Sequence, residues 1–147
     1  MVALNRLTRK KLGEILIEQN LLTEQQVQDA LRIQHQTGML LGETLVAAKL
    51  INEDKIVAAL AQQFGVPYLL PTAYKIPDEL LEIFDPQMMR RFQFLPIDSI
   101  GSVLVIAIAG VMSEEVLKEI ETQTGMTLQI YLTRMSEINA VLKAKGL

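Results

Sequence analysis

The strongest constraint on this chain is an internal repeat. With Leu12 aligned on Leu41, segments 12–34 and 41–63 run in register without a gap, and nine of 23 positions are identical. These are Leu12/Leu41, Gly13/Gly42, Glu14/Glu43, Leu16/Leu45, Leu21/Leu50, Glu24/Glu53, Ala30/Ala59, Leu31/Leu60 and Gln34/Gln63. Chance would give roughly one or two such identities at ordinary composition. Leu22/Ile51 and Val27/Ile56 are conservative pairs besides. A unit written twice is expected to fold twice in the same way, as two related helical pairs that pack together.

Each unit reads as helix, tight turn, helix. In the first, Thr8 is suited to cap a short helix whose Leu12, Ile15 and Leu16 share a face, and Asn20 to take the left-handed conformation that ends it. Thr23 with Gln26 makes a capping-box pattern, after which Val27, Ala30, Leu31 and Gln34 fall at i, i+3, i+4 and i+7 as far as a stop at Gly38. In the second, Asn52 is the cap, Ile56, Ala59, Leu60 and Gln63 repeat the stripe, and Gly65 with Pro67 ends it. Gly13 and Gly42 sit where a helix former would be better by about 1 kcal/mol, so each marks a close approach to the backbone, by a crossing helix or by a bound group. Gln34 and Gln63 place an amide at the end of an apolar stripe, where neighbouring backbone or a ligand must satisfy it.

The second half follows another pattern. A proline-rich connection, "GVPYLLPTAYKIPDELLEIFDPQ", has room for one or two short helices. Then "FQFLPI" and "VLVIAIA" read as strands joined through Gly101 and Ser102. "SEEVLKEIETQTG" is a helix capped by Ser113, "TLQIYL" a third strand and "MSEINAVLKAKG" a closing helix. The expected fold class is α+β: a helical tandem-repeat lobe over 1–66, a connecting segment over 67–92, and a small strand-strand-helix-strand-helix lobe over 93–147.

The residue inventory removes most enzyme classes. There is no cysteine, hence no disulfide, thiolate nucleophile or thiolate metal site. His35 is the only histidine, so a Ser-His-Asp hydrolase would need it as the base, and it lies in the polar "QHQTG" helix end, a poor setting for catalysis. No Gly-x-x-x-x-Gly-Lys-Ser/Thr run is present, so this chain has no P-loop of its own. Neither a catalytic group nor a metal site is expected. The longest apolar run, "VLVIAIAGVM", is about half of the ~20 residues that cross a bilayer, and no signal-like apolar stretch follows the N-terminal basic residues. A cytoplasmic location is expected, with the inner membrane reached only through protein partners and with no membrane insertion. Net charge is −3, but Arg6, Arg9, Lys10 and Lys11 give the first thirteen residues +4 and the remainder −7. Arg9 and Lys10 are therefore candidates for steering a phosphate, without the basic balance of a nucleic-acid binder. Arg90 and Arg91 form a second basic pair that could bind phosphate, although an exposed helix end is the commoner use of such a pair.

The two blocks Lys11–Gln34 and Leu40–Gln63, together with "FGVPYLL", "RRFQFLPI" and the strand-helix-strand-helix tail, resemble the MshEN domain, the N-terminal domain of type II secretion and type IV pilus assembly ATPases. The resemblance implies a non-catalytic regulatory and docking module that works through secretion or pilus machinery proteins, either the membrane platform or the motor ATPase. It also implies, as an alternative, a cyclic di-GMP receptor with no other cofactor. By motif position the ligand residues would be Lys11, Leu12, Gly13, Leu16, Leu21, Leu22, Leu31 and Gln34 in the first block. In the second they would be Leu40, Leu41, Gly42, Leu45, Leu50, Ile51, Leu60 and Gln63. The receptor motifs usually start with arginine; Lys11 keeps only its charge and Leu40 does not keep even that.

Overall fold

The structure, a computed structural model, describes residues 10–147. Helix α1 spans Leu12–Glu18, α2 Glu24–Thr37, α3 Leu41–Ala47 and α4 Glu53–Phe64. The first and third are short and the second and fourth long, so the repeat in sequence is a repeat in structure. Thr8 lies outside the described residues, and the residue at the N-cap of α1 is Lys11. Asn20 is left-handed at φ 59°, and Lys49, its counterpart, matches it at φ 59°. Thr23 accepts from the N–H of Gln26 while Gln26 accepts from that of Thr23, the reciprocal box read from the sequence. Asn52 Oδ1 accepts from the N–H of Lys55 at 2.9 Å. Both long helices end on a left-handed glycine, Gly38 or Gly65.

The connection carries a 3-10 turn, Pro71–Ala73, then α5 over Asp78–Glu82 and α6 over Pro86–Phe92. Strand β1 spans Phe94–Ile100 and β2 Val103–Ile108; they pair antiparallel across the Gly101–Ser102 turn, with a register break between Pro96 and Asp98. The strand begins two residues later than "FQFLPI" predicts. Phe92 still belongs to α6, and Gln93, left-handed at φ 52°, makes the corner by donating its side-chain amide to the carbonyl of Arg90 at 2.8 Å. Helix α7, Glu114–Thr124, crosses over to β3, Thr127–Leu132, which runs parallel to β2; α8, Met135–Ala144, closes the chain. Sheet order is β1-β2-β3, which leaves Pro96 on an edge strand, where a missing N–H is tolerated.

The other edge of β3 is partly occupied by the connection itself. Leu69 N–H donates to the carbonyl of Leu132 at 3.0 Å, and Leu132 N–H donates to that of Pro67 at 2.8 Å. This short parallel pairing places 67–69 as an extra rung of the sheet directly after α4. One apolar core follows, running without interruption from Ile15, Leu16, Leu45 and Leu60 of the repeat to Leu104, Ile106, Leu117 and Leu142 of the α/β part. Phe84 meets Phe94 edge to face, with ring centres 5.2 Å apart, where the connecting segment joins it.

Candidate functional site

The repeat brings its two Leu-Gly pairs face to face. A β-carbon placed on Gly13 would lie 3.6 Å from Leu41 Cδ2, and one placed on Gly42 would lie 3.6 Å from Leu12 Cδ2. Each unit's leucine therefore covers the other unit's glycine. Gly13 is the tighter of the two, because the same β-carbon would stand 2.7 Å from Val27 Cγ1 in α2, closer than side chains pack. At Gly42 the nearest neighbour is Met135, whose Sδ would lie at an ordinary 3.5 Å. The close approaches are thus made by this chain's own side chains, three from the repeat and one from the start of α8.

The motif residues divide into three layers. Leu16, Leu45 and Leu60 are fully enclosed, Leu22 and Ile51 nearly so, and Gly13 and Gly42 are buried with them. Leu12, Leu31, Gln34, Leu40, Leu41 and Gln63 are half-buried, and Lys11, Leu21 and Leu50 are exposed. The enclosed leucines shape the surface without offering atoms to it; the half-buried group is the part that a ligand or partner can touch. Gln34 and Gln63 keep access to water, and among the described residues neither side chain has a hydrogen-bond partner. The amide contact between the units is made instead by half-buried Gln19, whose Nε2 donates to the carbonyl of Ala59 at 2.9 Å and ties the end of α1 to α4.

Lys10 Nζ lies 2.6 Å from Glu18 Oε2, so its charge folds back on α1. Arg9 lies outside the described residues; among the described residues Lys11 is an exposed cation at the start of the first unit. At the matching place in the second unit Leu40 is half-buried, and its N–H donates to Glu43 Oε1 at 3.4 Å. Arg90 and Arg91 stand exposed in the last turn of α6, with the Arg91 guanidinium 5.3 Å from the Phe92 ring, a setting that suits a helix C-terminus. His35 is exposed in the last turn of α2.

Sequence reasoning missed the clasp that joins the repeat to the sheet. Glu53, the first residue of α4, accepts from Ser136 N–H at 2.8 Å and from Ser136 Oγ at 2.7 Å, and so caps α8 from another part of the chain. Beside it Arg134 Nη1 reaches Asp54 Oδ1 at 3.4 Å. Tyr68 first, and then Asp54 and Glu137, push the Arg134 guanidinium further above its ordinary pKa. Glu53 and Ser136 lie 83 residues apart in sequence and Asp54 and Arg134 lie 80 apart, and no spacing rule links them. Among the described residues no group of three or more His, Asp or Glu side chains is placed to hold a metal ion, and no helix is long and apolar enough to cross a membrane.

Comparison with known proteins adds three findings. Residues 64–144, more than half of the chain, match the MshEN domain family. The matched stretch starts where the second repeat ends. Among curated relatives, the type IV pilus assembly ATPase PilB of Thermus thermophilus is 27% identical over 129 residues, 86% of this chain and 14% of that protein. PilB of Myxococcus xanthus is 24% identical over 119 residues, 81% of this chain and 21% of that protein. Bacteriophage adsorption protein B of Escherichia coli is 30% identical over 97 residues, 66% of this chain and 13% of that protein. The chain thus spans about a fifth or less of each of these relatives. Among solved structures, MshE with cdg superposes with a TM-score of 0.67 at 23% identity, covering 92% of this chain and 99% of that one. The N-terminal domain of XpsE superposes with a TM-score of 0.68 at 20% identity, covering 90% and 92%.

Proposed function

The chain belongs to the MshEN domain family, and we propose that it serves there as a non-catalytic docking and regulatory domain that acts through protein partners of a pilus or secretion machine. The observation that carries this reading is the extent of the likeness. The fold is coextensive with the N-terminal domain of XpsE and with the MshE chain, while the sequence holds no P-loop and no convergent acid, base and nucleophile. Work done by such a chain is binding, and its partners come from the machines named by its relatives. Surface plasmon resonance against the purified cytoplasmic domains of the pilus and secretion platform proteins tests this. Saturable binding to one of them is expected; silence from all of them at about 100 µM, weaker than transient signalling contacts run, would sink the reading.

A second reading has one observation in its favour: a structural neighbour was solved with cdg, here taken as cyclic di-GMP. The half-buried Leu12, Leu31, Leu40 and Leu41 offer apolar area for a purine face, Gln34 and Gln63 offer free amides, and Lys11 offers one cation. Against it stand Leu40 in place of a second cation and the side chains that already cover Gly13 and Gly42. Calorimetric titration with cyclic di-GMP separates the readings. Heat that disappears in Lys11→Glu and Leu41→Asp, both at accessible positions, supports a receptor; no heat at about 1 mM ligand leaves the docking reading alone.

A further inference from the structure

The turn of the second unit differs from that of the first in charge. Val46, Lys49, Leu50, Ile51, Asn52 and Lys55 line an open depression of about 390 Å³ between the end of α3 and the start of α4. Ile51 is buried at its floor and Leu50 is 36% exposed. Lys49 and Lys55 are exposed, and neither joins an ion pair among the described residues. The repeat supplies an internal comparison: Asn20 and Gln26 take the two lysine positions in the first unit, beside Ile17, Leu21 and Leu22. The apolar character is common to both units, and the positive charge is special to one. In a chain of net charge −3, two unpaired cations around an apolar floor select an acidic, apolar occupant.

Helix α5 presents that chemistry. Glu79, Glu82 and Ile83 fall at i, i+3 and i+4, while Leu80, Leu81 and Phe84 are buried. Ile83 is 38% exposed, and its carbonyl accepts from Gln123 Nε2 at 2.8 Å, which fixes this end of the helix. Asp78 is engaged by Lys145, whereas Glu79 and Glu82 join no ion pair among the described residues. Each surface therefore sets two unpaired charges around one exposed aliphatic side chain, with opposite signs.

We propose that the depression at the second turn receives the Glu79, Glu82 and Ile83 face of a second copy of this chain. The two faces differ, so the contact is head to tail: every added copy leaves one depression and one acidic face free, and copies end their growth only by closing a ring. Patches of this size fall below the roughly 1,000 Å² of a stable complex, so the contact is weak between free chains and gains strength where copies are tethered side by side. Its charges make it sensitive to salt.

Sedimentation velocity of the whole chain between about 20 µM and about 1 mM at low salt tests the contact. Reversible association is expected, weakened about tenfold or more by Leu50→Asp or by Ile83→Asp. Mixing those two variants restores a dimer and nothing larger, because each supplies the face that the other lacks. Ile100→Asp, at an apolar side chain that is 65% exposed and outside both faces, leaves association unchanged. A charge exchange that spares the apolar groups gives a second check: Lys49→Glu with Lys55→Glu, or Glu79→Lys with Glu82→Lys, abolishes association, and all four in one chain restore it. A chain that stays monomeric at about 1 mM, association that survives either aspartate, or a mixture that remains monomeric overturns the proposal. So does loss in Leu50→Asp alone, which would assign the depression to another occupant.

Discussion

At the scale of single residues, the two glycines of the repeat are alike in sequence and unlike in what they tolerate. Gly42→Ala adds a methyl at ordinary contact distance from Met135 and Leu12 and gains helix propensity, so urea unfolding should show it more stable by about 0.5–1 kcal/mol. Gly13→Ala gains the same propensity but drives its methyl into Val27, a buried side chain with little rotamer freedom; a net loss of about 1 kcal/mol is expected in the same measurement. Equal effects at both sites would contradict the packing described. Asp78 gives a second residue-scale prediction. The hydrogen bond and the charge of Lys145 hold its carboxyl below the usual carboxylate range. A depressed folded-state pKa adds stability above the unfolded value of about 3.9, and that contribution disappears as pH falls through the lower folded value. An NMR titration should find Asp78 protonating at lower pH than free aspartate, with the shift abolished in Lys145→Met. The exposure of the pair makes its share of overall stability small.

At the scale of elements, what could be read from the sequence was whatever is decided within a few residues. The box at Thr23 and Gln26, the cap at Asn52, the glycine stops at Gly38 and Gly65 and the two-residue turn at Gly101 and Ser102 all depend on local hydrogen bonds and on φ, and all are found in place. Thr23→Ala and Asn52→Ala should each lower stability by about 1 kcal/mol in thermal melts, the ordinary value of an N-cap. Elements fixed from a distance were not legible. Nothing near Ser136 announces that its helix is capped by Glu53, and nothing near Tyr68 announces that its neighbours pair with Leu132. Within the candidate site, the apolar stripes could be seen, but which leucine would be enclosed and which would be left at the surface depended on how the units cross. Glu53→Ala removes the acceptor of two hydrogen bonds; a loss of about 1–2 kcal/mol is expected, with hydrogen exchange accelerated first at the start of α8. Unchanged exchange there would show that the clasp is incidental.

At the scale of the whole molecule, the divisions at 66/67 and 92/93 are proposed as boundaries of topology only. The core passes through them, and the rung at 67–69 binds the exit of α4 to β3. Urea unfolding should accordingly be a single transition, with tyrosine fluorescence, which reports on Tyr68, Tyr74 and Tyr131, all outside the repeat, coinciding with far-ultraviolet circular dichroism, to which the helices of the repeat and those of the rest both contribute. Separate midpoints would instead make the repeat an independent unit. The crossed Leu-Gly contacts carry a consequence for how such a chain can change over time. Leu12 rests on Gly42 and Leu41 on Gly13, so each copy is part of the mould in which the other is cast. A duplicated segment is ordinarily free to drift, since one copy can lapse while its twin persists. Here a side chain longer than alanine at either glycine must be accommodated against a leucine belonging to the other copy, so the two texts are not edited independently.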